Sequence, residues 1–532
     1  MRKMKILRMI ILICVFAAAL SSDSVEAVKL PEIISDGMVL QRGKPVTLWG
    51  SANPGERITI RFAGQSKEAV ADKSGSWSIT LFRLSVSTTP RVMNVSGENK
   101  IEVKNILVGE VWLASGQSNM EYSMGGLRGG PPGGRPSGPP PSTQPTGTNN
   151  APNGLLATST PNALPQQKAP LPLAMPSPEI PERQKQELAN ANYAEIRLFK
   201  VTPQGMPGES KFSAGMSGWS SCNSKSLKEF SAVAYYFAKK IYQEIKVPIG
   251  IIDSSIGGTA IEPWTPIEEY QNSSLFKTEI AAHSNIVDGQ TLGSDYDVMI
   301  KPLAPFTMRG FIWYQGETNC DRNDKRYTEK MRLLIEGWRR VWNDNSLGFY
   351  YVQLAPFIHS QFSLGKAAGL TTESLPEFWE MQAKALSIPN TGMVVTTDLV
   401  DDVNNVHPPN KWDVGNRLAL IALAKSYGRK GVVYSGPQYK AMKIVGKEVH
   451  ISFDHLGGGL VSRDGKPLTD FTIAGSDGRF YAADAKIASD KVVVSSSNVG
   501  EPVAVRFAWN ETAQPNLANK VGLPAVPFRT GP

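Results

Sequence analysis

Four short polar segments of this 532-residue chain hold residue types able to carry out acyl transfer. The first, Ser115-Gly116-Gln117-Ser118-Asn119-Met120, follows the apolar run 108–114. A serine at a tight turn between strand and helix exposes its hydroxyl, and the backbone N–H groups of the turn face any oxyanion formed there. The spacing is not GxSxG, and alone such a serine reads first as a helix cap. The second, Ser254-Ser255-Ile256-Gly257-Gly258-Thr259, offers paired glycines, which let backbone approach a ligand and present an N–H; alone it reads as a plain turn. The third, Trp313-Tyr314-Gln315-Gly316-Glu317-Thr318-Asn319, brings amides and a carboxylate to one rim. Asn319 can donate to a developing oxyanion, a contribution of roughly 3 kcal/mol in comparable sites, or else cap the next turn. The fourth segment, 398–409, contains His407, one of five histidines. Activating a serine calls for a base that titrates near neutrality, which points to histidine. A lone histidine is more often structural, but His407 alone lies at a late strand end before a capped helix, and the joint pattern makes it the base.

The elements that must position these segments follow from periodicity. Residues 28–107 alternate apolar and polar side chains in short runs such as Arg57-Ile58-Thr59-Ile60-Arg61-Phe62, separated by Gly and Pro turns, and predict a small β-sandwich. Over 108–435 strands alternate with helices. Strands are expected at 107–114, 195–201, 248–254, 309–315, 348–355 and 392–398. Phe230, Val233, Phe237, Ile241 and Ile245 mark one helix, and Asn410 caps another, with Asp413 three residues on. Such alternation predicts an α/β domain with a parallel sheet covered on both faces, whose ligands bind at the carboxyl ends of the strands. All four polar segments fall at such ends. Residues 436–532 return to β patterning. The stretch 125–185, with Gly129-Gly130-Pro131-Pro132-Gly133-Gly134 and Pro139-Pro140-Pro141, is too poor in apolar residues to offset its ordering entropy and reads as a disordered insertion.

Composition bounds the rest. Hydrophobic residues make up 41% and charged residues 20%, which describes a folded chain. Arg2, Lys3, Lys5 and Arg8, an apolar run at 9–20 and Val25-Glu26-Ala27 form a signal peptide over 1–27, too short to span a bilayer of about 30 Å. Export to the periplasm or the medium follows, with no stable membrane insertion afterwards. Losing the leader removes four basic and two acidic groups, so the formal charge of +8 becomes +6. That excess is spread thinly, without basic blocks interleaved with aromatics, which argues against a nucleic-acid partner. Cys222 and Cys320 either pair or stay as buried thiols; no histidine or cysteine spacing suggests a metal site.

The same four segments resemble the blocks of the SGNH hydrolase superfamily, with Ser118, Gly258, Asn319 and His407 at the naming positions. More closely, the chain resembles the sialate O-acetylesterase family along nearly all of its mature length. Ser35-Asp36-Gly37-Met38-Val39-Leu40-Gln41-Arg42, Gly109-Glu110-Val111-Trp112-Leu113-Ala114-Ser115-Gly116-Gln117-Ser118-Asn119-Met120, Gly257-Gly258-Thr259-Ala260-Ile261-Glu262-Pro263-Trp264, Trp313 to Asn319 and His407-Pro408-Pro409-Asn410-Lys411 carry the match. The resemblance implies an SGNH-type α/β sheet between N- and C-terminal β-sandwich-like regions. It also implies removal of O-acetyl groups from sugars without metal or organic cofactor. Ser118 would attack, His407 would take its proton, and the N–H groups of Ser118 and Gly258 with the Asn319 amide would hold the oxyanion. Gln117, Gln315 and Trp264 are candidate contacts to the sugar. One departure stands out: many SGNH enzymes place an aspartate three residues before the histidine, and here that residue is Asn404. Glu317 is the first choice for the orienting carboxylate, with Asp398 and Asp401 as alternatives. A deacetylase of xylan or another polysaccharide, and a non-catalytic carbohydrate-binding protein, are the competing readings.

Overall fold

The computed structural model describes residues 28–126, 179–205 and 212–531. The leader expected over 1–27 and most of the insertion expected over 125–185 lie outside them. The end of that insertion departs from expectation, because Glu179–Ala189 is a helix. Its long polar side chains are good helix formers, and Pro181 falls in the first turn, where proline is tolerated. The helix docks through Gln184, whose amide donates to the carbonyls of Ser123 (3.3 Å) and Met124 (3.0 Å), and through Glu187, which meets Tyr235 and Lys239.

Six parallel strands build the centre: β1 (Lys100–Gly116), β2 (Asn192–Gln204), β3 (Ile249–Ser255), β4 (Gly310–Tyr314), β5 (Gly348–Val352) and β6 (Thr391–Val394). They lie in the order β2-β3-β1-β4-β5-β6. All of β3 and β4 is buried, as a sheet covered on both faces requires. Successive residues feed opposite cores. Trp112 and Ala114 face the helices Ala232–Ile245 and Lys411–Lys425, while Leu113, Phe311 and Trp313 face Trp338 and its neighbours. Gly415 lets those two helices close, since a Cβ there would sit 2.7 Å from the Val233 carbonyl oxygen. The expected cap is in place, Asn410 Oδ1 accepting from Asp413 N–H (3.1 Å), and Ser231 caps the other helix, its Oγ accepting from Ala234 N–H (3.2 Å).

The expected boundary at 107/108 falls inside β1. That strand pairs first with Ser87–Ser96 and Val39–Gln41 of the N-terminal β region, then with β3 from Glu110 and with β4 from Trp112. Glu110, fully buried, binds Arg42 (2.6 Å), Arg309 (2.7 Å) and Gln41 (2.9 Å). Beyond 436 two four-stranded antiparallel sheets enclose one apolar cluster. Cys222 and Cys320 are both free and buried, and burial pushes the Cys222 thiol up to about 12. Among the described residues no helix is long and apolar enough to cross a membrane.

Candidate active site

The turn after β1 is built by close backbone contact. Gly116, at φ +137°, stands where a Cβ would lie 2.1 Å from the Tyr314 carbonyl oxygen, so only glycine lets the ends of β1 and β4 meet. Gln117 donates its N–H to that carbonyl (2.9 Å), and the helix Ser118–Glu121 follows at once. Gln117 and Asn119 are buried while Ser118 between them is half-exposed, so the turn presents one hydroxyl. The second segment lies against it. A Cβ on Gly257 would come 3.4 Å from Ser118 Cβ, and Gly257 N–H donates to Glu121 (2.7 Å). Gly258, at φ +76°, has open space where a side chain would be.

His407 Nε2 lies 2.8 Å from Ser118 Oγ. For the hydroxyl to donate, Nε2 must be unprotonated, which places the ring proton on Nδ1. Burial, and then the Lys411 cation, push His407 down to about 4, so the imidazole is neutral at pH 7 and able to accept a proton. The backbone holds the loop: His407 N–H donates to Asn405 Oδ1 (2.9 Å).

Among the described residues no carboxylate is hydrogen-bonded to His407, contrary to the expectation for Glu317. The Glu317–Asp321 helix starts directly after the Gly316 turn and brings the Glu317 carboxylate to the residue after Ser118, where it accepts from Asn119 Nδ2 (2.5 Å). Burial raises Glu317, and the Asn119 hydrogen bond opposes the shift. Asp398 is held bidentate by Arg417 (2.7 and 2.6 Å), and Asp401 is exposed.

Two residues that the sequence reading missed join these parts. Asn119 Nδ2 also donates to the Val406 carbonyl (3.0 Å), and its Oδ1 accepts from Lys411 Nζ (2.5 Å). Lys411 is buried over the rings of Tyr122 and Tyr314, 4.9 and 5.4 Å from their centroids, and burial lowers it to about 7. A signal was available: Lys411 is the first residue of its helix, where a cation opposes the helix dipole and so needs another reason to be there.

Other expected site residues are placed differently. Asn319 is buried and donates Nδ2 to Glu262 (3.1 Å) and Asp324 (3.0 Å), while its Oδ1 accepts from Ile261 N–H (3.0 Å) and Gln315 (2.8 Å). Both amide protons are committed, so the side chain offers no donor to an oxyanion. Gln315 is equally occupied, donating to Gln117, Thr259 and Asn319 and accepting from Tyr327. Gln117 is turned inward, its Oε1 taking the N–H groups of Gly316 (3.2 Å) and Thr318 (3.4 Å). Trp264 is 0% exposed, edge-on to Trp313, with Nε1 on Thr259 (2.9 Å), so it has no face for a sugar ring. Glu262, Asp288 and Asp324 converge as metal ligands might, but the Lys330 ammonium binds all three, at 2.5 Å from Glu262 and 2.8 Å from Asp324.

Known proteins share this arrangement of chain. Residues 221–424 match the family described as carbohydrate esterase, sialic acid-specific acetylesterase. The chain is 25% identical to the sialate O-acetylesterases of Pongo abelii and Homo sapiens, over 93% of its own length and 91% of theirs. The crystal structure of a carbohydrate acetylesterase from Xanthomonas citri is 33% identical, has a TM-score of 0.75, and spans 95% of this chain and 100% of that one. With its sheet, its strand-end turns and its full-length relatives in agreement, the chain belongs to the sialic acid-specific acetylesterase family of carbohydrate esterases.

Proposed function

We propose that this protein removes acetyl groups from O-acetylated sugars through an acetyl-serine on Ser118. The contact of His407 Nε2 with Ser118 Oγ at 2.8 Å carries the reading. Ser118 attacks the acetyl carbonyl as its proton passes to His407 Nε2. The N–H groups of Ser118 and Gly258, without backbone acceptors among the described residues, face the charge that forms. The imidazolium returns its proton to the departing sugar oxygen; water, deprotonated by His407, then attacks the acetyl carbon, the bond to Ser118 Oγ breaks as it takes the proton back from His407, and acetate leaves. Wild type is expected to release 4-nitrophenol from 4-nitrophenyl acetate, and Ser118→Ala to lose at least about a thousand-fold in kcat. Equal rates from both would end the serine reading.

O-acetylated sialic acid is the first substrate to test, because the mammalian relatives are named for sialate. Acetylated xylan is the alternative, and relative acetate release from the two decides between them. The basic and apolar start of the chain supports export, which the N-terminal sequence of the mature protein checks.

A further inference from the structure

Asn119 is the side chain at which three parts of the site meet. Its amide oxygen accepts from Lys411, while its nitrogen donates to Glu317 and to the carbonyl of Val406, the residue before His407. The amide cannot flip, because an ammonium has no lone pair to accept a proton, and a carboxylate and a carbonyl have none to donate. Lys411 opens the helix that follows the His407 loop, so this loop is tied at both ends to the residue beside the nucleophile. Lys411 has no ion pair with a carboxylate among the described residues. A buried ammonium bonded to an amide adds little stability, so its presence calls for a reason other than folding.

Resting on the serine-esterase reading above, we propose that Lys411 and Asn119 form a clamp that sets His407 on Ser118 in place of an orienting carboxylate. Both are positioning residues: they act through His407 and touch no reacting atom. The groups facing Lys411 are Glu317 from the third segment, Tyr122 from the nucleophile's turn, Tyr314 from β4 and His407 from its own loop. Of these, Glu317 favours the ammonium, and the ammonium in turn opposes a positive charge on His407. Once Lys411 loses its proton, near pH 7, the imidazolium of the transition state forms with less opposition. The rate therefore rises a second time, above the limb that belongs to His407 itself.

The test is the pH dependence of kcat/KM for 4-nitrophenyl acetate in wild type, Asn119→Ala and Lys411→Met. We expect Asn119→Ala to lower kcat at least about ten-fold, with KM changed less than about three-fold. The wild-type rise near pH 7 should vanish in Lys411→Met. Independently, NMR titration of His407 in Ser118→Ala and in Ser118→Ala with Lys411→Met should show the imidazole titrating higher, by about half a unit or more, once the cation is gone. An unchanged imidazole titration overturns the clamp. So does a wild-type profile flat between pH 6 and 8, a measurement that needs no variant to fold. If wild type were inert on acetyl esters the esterase reading would fail, while the imidazole titration would still decide the clamp.

Discussion

Two buried asparagines, Asn119 and Asn319, each donate to a carboxylate near a buried lysine, and they are wired in opposite ways. Around Asn319 the network is closed: Lys330 binds Glu262, Asp288 and Asp324 directly, and Asn319 donates to two of those carboxylates. Burial acts to lower Lys330, but the three carboxylates, Glu262 first, outweigh it and hold the lysine above its ordinary value. Around Asn119 the network is open. Lys411 has an amide where Lys330 has three carboxylates, and burial wins, down to about 7. In one network the buried cation meets carboxylates directly. The other holds its cation on an amide, next to Ser118, and buried charge without a matching partner is a mark of functional sites.

The largest effect that would sharpen this contrast is on stability. Lys330→Met leaves two buried carboxylates, Glu262 and Asp324, without their cation and is expected to cost about 3–5 kcal/mol in urea unfolding. A loss below about 1 kcal/mol would mean that the closed network does not hold the fold. Asn319→Ala should cost about 1–3 kcal/mol yet keep kcat within ten-fold. A hundred-fold fall in kcat would return Asn319 to the oxyanion and break the comparison. The two lysines should also give opposite pH signatures. With Lys411 deprotonating near 7 in the native state and at 10.5 when unfolded, the unfolded chain holds more protons between those values. Stability then rises with pH in that window by up to about 1.4 kcal/mol per unit, and Lys411→Met flattens the rise. Lys330, raised above 10.5, contributes fully below that pH and loses its contribution above it. Denaturation curves at pH 7, 9 and 11 separate the two. The smallest effect belongs to Trp264→Phe, which removes one hydrogen bond at about 1 kcal/mol and should leave KM for a sugar ester unchanged. A KM raised ten-fold would put the ring back against substrate.

How much of this was legible in the sequence depended on range. The six central strands, the Asn410 cap and the approach of the four polar segments could be read, because periodicity and capping are local and the parallel sheet fixes where strand ends lead. The strand at 100–116 was foreshortened because its first half pairs with a different partner set, which no local pattern reports. Side-chain roles were harder. Trp264 and Trp313 share a motif neighbourhood with the site, and only packing reveals that their rings meet edge to face. Asn319 was read as a donor to substrate because its donors are visible in its letter and its acceptors, Glu262 and Asp324, are remote or unmarked. Glu317 was expected at His407; Asn119 intercepts it, through a contact spanning 198 positions.

The long strand β1 has one more consequence. The same backbone that begins among the N-terminal strands ends at Ser118, and midway Glu110 depends on Arg42 from one region and Arg309 from the other. The front of the molecule is therefore not an exchangeable module. A chain started at residue 108 would strand a buried carboxylate without two of its partners and bare the flank of the very strand that aims the serine. Recombination or trimming at that seam would reach the turn that carries Ser118 without altering a single residue of it.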